Sequence, residues 1–428
     1  MTTDTQKIPA GYKQTEIGVI PADWDVKECK ELGSFYKGRG ISSKDLVSDG
    51  VPCIMYGDIY VKFDTKFSNP DFRITKETAA KSTLARTGDL LFTASGETVE
   101  EIGKCVAYEG KEDIYIGGDI IGMTPNKDTD SLFLAYAQNS QFLLSQKANL
   151  GQGYTVVHIY TEHIKSLKIA LPPSKKEQAA IASVLSGTDA LIAKLEALIE
   201  KKKNIKHGAM QELLTGKRRL PGFSGKWEVK KVGDIGKPYG GLSGKVKGDF
   251  GAGNSSYIPF MNIMSNPIID PTYLDVVNIR LGENQNEAQK GDLFFNGSSE
   301  TPEEIGMCSV LLTEVSNLYL NSFCFGFRLN QELKTHGLFF SYYFRSSVGR
   351  QLIFSLAQGA IRYNLSKTNF LKLEIPYPKP EEQSAIATVF YEMDAEIEKL
   401  ESQLTKYQNL KQGMMQVLLT GKIRLLSK

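Results

Sequence analysis

Apolar or small residues at Ile181, Val184, Leu191, Leu195, Leu198, Ile205 and Ala209 recur at the three- and four-residue spacing of a heptad seam, with Thr188 and Lys202 as polar interruptions. The pattern predicts a long amphipathic helix. A second stripe runs through Ile386, Val389, Met393, Ile397, Leu400, Leu404, Tyr407, Leu410 and Met414, so that one helix can cover the other. Ser174 followed by Glu177 predicts a capping box at the first start, and Pro380 sits at a first-turn position of the second. Both patterns close on Leu-Leu-Thr-Gly, with Gly216 and Gly421 where a left-handed cap is needed. From Ser174 to Thr215, a rise of about 1.5 Å per residue gives a rod on the order of 60 Å. Gly208 and Gly413 lie inside the two helices, at a cost of about 1 kcal/mol against alanine, which predicts a close backbone approach or a helix break. Outside the helices, "DIYVKF" (Asp58 to Phe63), the segment Pro52 to Tyr56 and "LKLEIP" predict strands of mixed α/β modules.

The two stripes are copies of each other. Gln178–Leu220 aligns with Gln383–Leu425 at a constant offset of 205, with 24 identities in 43 positions. "GDLLFTASGETVEEIGKC" from Gly88 matches "GDLFFNGSSETPEEIGMC" from Gly291 at offset 203, with 12 identities in 18. Trp24 and Trp227 are again 203 apart, and between these landmarks the halves diverge. The repeating unit is therefore a variable module followed by a common helix.

Connectivity extends this reading. The first helix feeds the second module through Lys217 to Lys226, so the second helix starts near where the first stops, and packed stripes require antiparallel helices. The expected architecture is α+β: two mixed α/β modules joined by an antiparallel coiled coil, a dumbbell with pseudo-two-fold symmetry. Its expected bounds are 1–173 and 217–378 for the modules, and 174–216 and 379–428 for the helices. The seam is expected from Ile181, Val184, Leu191, Leu195, Leu198 and Ile205 against Ile386, Val389, Met393, Leu400 and Leu410.

At 428 residues the chain exceeds the size of one ordinary core, and 41% hydrophobic with 23% charged residues marks a globular protein. No apolar run approaches the 20 or so residues of a membrane span, and the N-terminus lacks a signal-peptide pattern, so no membrane association and a cytoplasmic location are expected. Five cysteines without a C-x-x-C pair argue for free thiols. A formal net charge of +2 neither requires nor excludes a polyanionic partner.

Catalytic chemistry is hard to find. "LSGKVKG" and the two "LTGK" segments lack the remainder of a phosphate loop, and "GQGYTV" and "GAGNSS" are incomplete dinucleotide fingerprints. The histidines His158, His163, His207 and His336 have no ligand spacing, and no G-x-S-x-G elbow occurs. Glu97, Glu100 and Glu101, repeated as Glu300, Glu303 and Glu304, admit a catalytic or metal reading. Because two divergent modules share them, a structural turn or a surface for a common partner is the preferred one. No cofactor, no metal and no activity of the chain alone are expected.

The segments "LPPSKKEQAAIASVLSGTDALIAKLE" and "IPYPKPEEQSAIATVFYEMDAEIEKLE", together with "TEIGVIPADWDVKECKELG", resemble the specificity (S) subunit of type I restriction-modification systems. The similarity covers essentially the whole chain. It implies two target recognition domains, each reading one half of a split, asymmetric site in double-stranded DNA. It further implies antiparallel spacer helices that dock two modification (methyltransferase) subunits, and restriction (endonuclease-translocase) subunits joined through the complex. Adenine methylation and cleavage would then belong to those partners. Half-sites on one DNA face lie about 34 Å apart, a distance such a rod could span, so that helix length would set the spacer.

Loops rich in Lys, Arg, Asn, Gln and Gly can contact both phosphates and base edges. In the first domain these are Lys37, Arg39 and Lys44 of "YKGRGISSK", with Gln152, Tyr154 and His158 of "GQGYTVVH". In the second they are Lys245 and Lys247 of "YGGLSGKVK", with Gln358, Arg362, Tyr363 and Asn364 of "AQGAIRYN". Solvated loops are the alternative, and Tyr154 and Tyr363 have a second reading as packed aromatics. The run Lys201 to Lys203 with Lys206 reads first as a solvated helix face, second as a patch for phosphate or a partner. Two rivals stand beside the main reading: an S-type subunit of a type IIB-like system, and a duplicated protein-binding scaffold without a DNA function.

Overall fold

The computed structural model describes residues 8–153, 155–359 and 363–425, with Gln358 described by its backbone alone. The chain divides into two compact units, Met1–Leu195 with Gln403–Lys428, and Glu196–Ser402. Both divisions fall inside the long helices Lys175–Leu213 and Pro380–Leu418, each 39 residues. At a rise of 1.5 Å per residue each helix is about 58 Å long. Each unit thus owns half of each helix.

Within each unit the two halves run antiparallel and cap the domain core. In the first, Ile181, Ala182 and Leu185 share a core with Trp24, Phe133, Leu418 and Leu419. In the second, Ile386, Ala387 and Phe390 share one with Phe339, Phe370, Leu213 and Leu214. Opposite direction follows from the ion pairs: Glu177 meets Arg424 and Asp189 meets Lys411, so one helix climbs as the other descends. Glu382 with Arg219 and Asp394 with Lys206 repeat this in the second unit.

Each domain has its own main sheet, of corresponding strand order. In the first unit the strand order is Gly33–Lys37, Ile120–Pro125, Leu90–Thr93, Cys105–Tyr108 and Lys66–Phe67. In the second it is Gly236–Gly240, Cys324–Leu329, Leu293–Asn296 and Cys308–Val310. Leu90–Thr93 and Leu293–Asn296 are buried throughout, as central strands covered on both faces must be. A second sheet in each unit contains a parallel pair, Val51–Ile54 with Ile114–Ile116, and Phe250–Ile258 with Leu318–Leu320. All five cysteines are buried and free.

Four expectations need correction. "DIYVKF" is not a strand: Tyr56–Val61 is a short helix whose start is held by the Asp58 carboxylate accepting from the Met55 amide (3.2 Å). The capping box at Ser174 is incomplete, because Ser174 Oγ accepts from the Lys176 amide while the Glu177 carboxylate turns to Arg424. Neither Gly208 nor Gly413 breaks its helix or touches a neighbour, since a Cβ at either position would meet nothing within 4 Å among the described residues. Gly208→Ala should therefore raise unfolding stability by about 0.5–1 kcal/mol, read from the urea midpoint.

The fourth concerns the seam. Val184, Leu191, Leu198 and Ile205 of the first helix and Leu410 of the second are exposed, whereas Ile181, Leu185, Leu195, Ile199, Leu213, Ile386, Ala387, Phe390, Ile397 and Leu418 are buried. Val389, Met393 and Leu400 are half-buried. Ile181, Leu195 and Ile386 are buried as expected, but at Val184, Leu191 and Leu198 the inward side lies one residue on, because Val184-Leu185, Leu191-Ile192 and Leu198-Ile199 are adjacent apolar pairs. A helix places successive residues about 100° apart, so only one of each pair can face inward. Leu191→Gln should change the stability of the isolated chain by less than about 0.5 kcal/mol in a urea titration.

Gly216 and Gly421 both have φ +69°, the left-handed cap that their position predicts. A side chain there would also strike the Trp227 ring, or Pro21 and Trp24.

Candidate nucleic-acid interface

The candidate loops of each unit meet at one end of its main sheet. In the first unit Lys37 pairs with Ile121 and Thr93 with Ile120, so Lys37 and the chain leaving Thr93 emerge at the same edge. That chain continues as Ser95–Gly96, which pairs with Val157–His158. Gln152 and His158 exchange both backbone hydrogen bonds (3.0 and 2.8 Å), and the turn between them needs Gly153 at φ +123°, where a Cβ would collide with the Val156 carbonyl. Ser95 Oγ lies 3.0 Å from His158 Nδ1. Lys37, Arg39, Lys44, Gln152 and His158 are all exposed there. Lys44 rides on a helical turn, Ser43–Asp45, fixed by the Asp45 carboxylate on the Ser42 amide (2.8 Å).

The second unit repeats the arrangement. Gly240 pairs with Phe325, Asn296 with Cys324, and Ser298 with Asn364, whose own partner is Gln358. A helical turn, Lys247–Asp249, stands where Ser43–Asp45 does, held by Asp249 on the Val246 amide (2.9 Å). Lys247 and Asn364 are exposed and Tyr363 is half-buried. Tyr154, Arg362 and the Gln358 side chain lie outside the described residues.

Lys245 is the exception. Its Nζ is nearly buried, donating to the Asn278 carbonyl and the Glu283 carboxylate (both 2.6 Å). Glu283 is held down at about 2 by that bond and by backbone and Gln285 donors. Lys245 thus ties its loop down and presents no charge to a ligand. The lysine run is likewise engaged inside its own unit: Lys202 reaches Glu396 and Lys203 reaches Glu401 (both 2.7 Å), and Lys206 reaches Asp394.

Two repeated clamps hold each sheet to its helices. At the end of one helix an arginine crosses to the glutamate that begins the other and lies over a tryptophan: Arg219, Glu382 and Trp227 in the second unit, Arg424, Glu177 and Trp24 in the first. The neighbouring glutamine fixes the helix start, Gln178 accepting from the Asp130 amide (2.8 Å) and Gln383 from the His336 amide (2.8 Å). Further along, Lys411, Asp189 and Tyr136 form a chain that Lys206, Asp394 and Tyr342 reproduce. The helix members of these clamps lie in the duplicated segments, where the pattern shows that residues recur but not what they touch, while Tyr136 and Tyr342 lie outside those segments.

The profile of the type I restriction modification DNA specificity domain matches residues 21–206 and again 224–406, one copy for each recognition domain and most of its helix. The chain belongs to this family. It is a DNA sequence-specificity subunit of the type I kind. The putative type I restriction enzyme MjaX specificity subunit of Methanocaldococcus jannaschii is 27% identical over 96% of both chains. The MjaVIII specificity subunit of the same organism is 24% identical over 95% of this chain and 94% of its own. Among solved structures, the type I restriction-modification S subunit from M. genitalium shares the fold with a TM-score of 0.58 at 15% identity, covering 96% of this chain and 98% of that one. Among the described residues no helix is long and apolar enough to cross a membrane.

Proposed function

We propose that each unit of this specificity subunit reads one half of a split, asymmetric DNA site through its convergent loops, while partner subunits methylate adenine and, where a restriction subunit is present, cleave. The observation that carries the reading is a shared scaffold with unshared tips. Strand order, clamps and the Ser95 and Ser298 edges recur, and Gln152 has its counterpart in Gln358, yet Lys37, Arg39 and His158 of one unit have no identical counterparts in the other. Two divergent readers on one repeated frame fit two different half-sites. The domain limits 1–173, 174–216, 217–378 and 379–428 are proposed on the same ground.

Partner docking is supported by exposed apolar residues on the helices, Val184, Leu191 and Leu410 in the first unit, Leu198 and Ile205 in the second. Two methyltransferase subunits, one per unit, are the proposed complement, in the cytoplasm.

The test is methylation mapping by single-molecule sequencing in cells expressing this chain with its modification subunit, against cells lacking the chain. A new bipartite, non-palindromic adenine motif with one modified base per strand is expected. No motif, together with no salt-sensitive retention of duplex by the purified complex, would overturn the reading. Phosphate-mediated binding must weaken linearly in log K against log salt.

A further inference from the structure

Between the two candidate loops of each unit, one residue stands at the middle of the loop-bearing end. In the second unit it is Phe323. Its amide donates to Asn321 Oδ1 (2.8 Å) and its carbonyl accepts from the Gly297 amide (2.9 Å), so its backbone is fixed on both sides. Gly297 in turn accepts from the Leu365 amide (3.0 Å), placing the Asn364 hairpin on one flank. On the other flank the Leu242 amide donates to Leu320 (2.7 Å) where the Lys247 loop begins. The ring is 54% exposed, unusual for a phenylalanine whose backbone is held so closely.

In the first unit the same place is taken by Asp119. Its carbonyl accepts from the Ala94 amide (2.8 Å), Ala94 accepts from Ile159 (2.9 Å), and the Gly38 amide donates to Ile120 (2.8 Å) as the Arg39 loop begins. Ala94 and Gly297 are 203 apart, and each donates to the carbonyl of the central residue and accepts from the residue that follows the flanking hairpin. Asp119 is exposed.

Resting on the DNA reading above, we infer that Asp119 and Phe323 are the central base-reading residues of their units. Asp119 accepts from the exocyclic amino group of cytosine, and Phe323 packs on the methyl group of thymine. Chemistry restricts each choice. An exposed carboxylate next to the start of the Arg39 loop is repelled by phosphates, so its favourable partner on DNA is a base-edge donor, and in the major groove the cytosine amino group is one that carboxylates select. A phenyl ring offers no hydrogen bond, and the only apolar group on a major-groove base edge is the thymine methyl. The two half-sites therefore differ at their centres in the kind of contact and not merely in its position.

The experiment uses the chain in its modification complex and the target motif from methylation mapping. Each thymine of the half read by the second unit is replaced by uracil, which removes only the methyl group. One replacement should weaken binding about fourfold, the transfer free energy of a buried methyl-sized group. Phe323→Ala should abolish that sensitivity, and Phe323→Leu should retain part of it. In the other half, Asp119→Asn should reduce discrimination at a single cytosine position roughly tenfold and leave the Phe323 half unchanged. Normal reading of the untouched half reports that each variant is folded. A wild-type complex that selects its target but shows no uracil effect, or variants that keep wild-type preferences at every position, would overturn the inference alone. A wild-type complex with no target would overturn it together with the DNA reading.

Discussion

Arg219→Ala should destabilise the second unit by about 3–5 kcal/mol, the cost of leaving a buried charge without its partner. The Glu382 side chain is 1% exposed and accepts from Arg219 Nε (2.5 Å), Arg219 Nη2 (2.6 Å) and Trp227 Nε1 (2.9 Å). Removing the guanidinium leaves the carboxylate with the indole N–H as its one remaining side-chain donor among these. Arg424→Ala should behave similarly in the first unit, where Arg424 binds both Glu177 and Asp23. There the Trp24 indole N–H has no hydrogen-bond partner among the described residues, so the glutamate lacks the support its counterpart has. Joint replacement of Arg219 and Glu382 by apolar residues of similar volume should recover most of the loss. The chain has one tryptophan per unit, so urea unfolding in a Trp24→Phe background reports the second unit through Trp227. A loss under about 1 kcal/mol would show that the clamp is not an energetic anchor.

Between pH about 8 and 10.5 the wild-type chain should gain stability that Lys147→Met does not. Lys147 is fully buried; its Nζ donates to the Gly103 carbonyl (2.6 Å) and the Gln138 carbonyl (2.8 Å). Its ionisable neighbours are the thiols of Cys29 and Cys105, both pushed up to about 12 chiefly by burial and so uncharged at these pH values. Burial lowers Lys147 itself from 10.5 to about 8. In that window the unfolded chain holds a proton that the folded chain has released, so unfolding free energy rises with pH. The rise is roughly 3 kcal/mol over the whole window and is lost as pH falls through 8. The measurement is the wild-type minus variant difference in unfolding free energy at pH 7.5 and 10. Parallel profiles would sink the assignment. Arg350, 203 positions on, serves the same turn in the second unit by donating to the Glu303 carbonyl (2.9 Å) and the Ile305 carbonyl, and as a guanidinium it stays charged throughout.

These two residues also bear on what the sequence could reveal. The duplicated Glu-Glu-Ile-Gly segment was legible as a shared structural turn, but the cation beneath it comes from a helix outside the aligned blocks. The recurring Trp24 and Trp227, Glu177 and Glu382, Arg219 and Arg424 were all visible as repeats. That an arginine from one end of a unit finds a glutamate from the other depends on antiparallel packing, which periodicity implies but does not put in register. The seam was legible at Ile181, Leu195 and Ile386 and missed by one residue at Val184, Leu191 and Leu198, because both members of a pair such as Leu191 and Ile192 are equally apolar. Lys245 was misplaced for a similar reason: a lysine in a Gly-rich loop reads as free until Glu283 is seen beside it. Asp119 and Phe323 carried no signal at all, because equivalence between a carboxylate and a phenyl ring rests on backbone hydrogen bonds.

The two-segment make-up of the first unit sets an order of events during synthesis. Its core is closed by Leu418 and Leu419 and its clamp by Arg424, which leave the ribosome after the whole of the second unit, one continuous stretch, Glu196–Ser402. At 5–20 residues per second, the about 230 residues between Leu195 and Leu425 take roughly 10 to 50 s to make. Through that interval Ile181 and Leu185 of the domain made first wait for their covering helix, so the domain translated second completes its fold before the domain translated first.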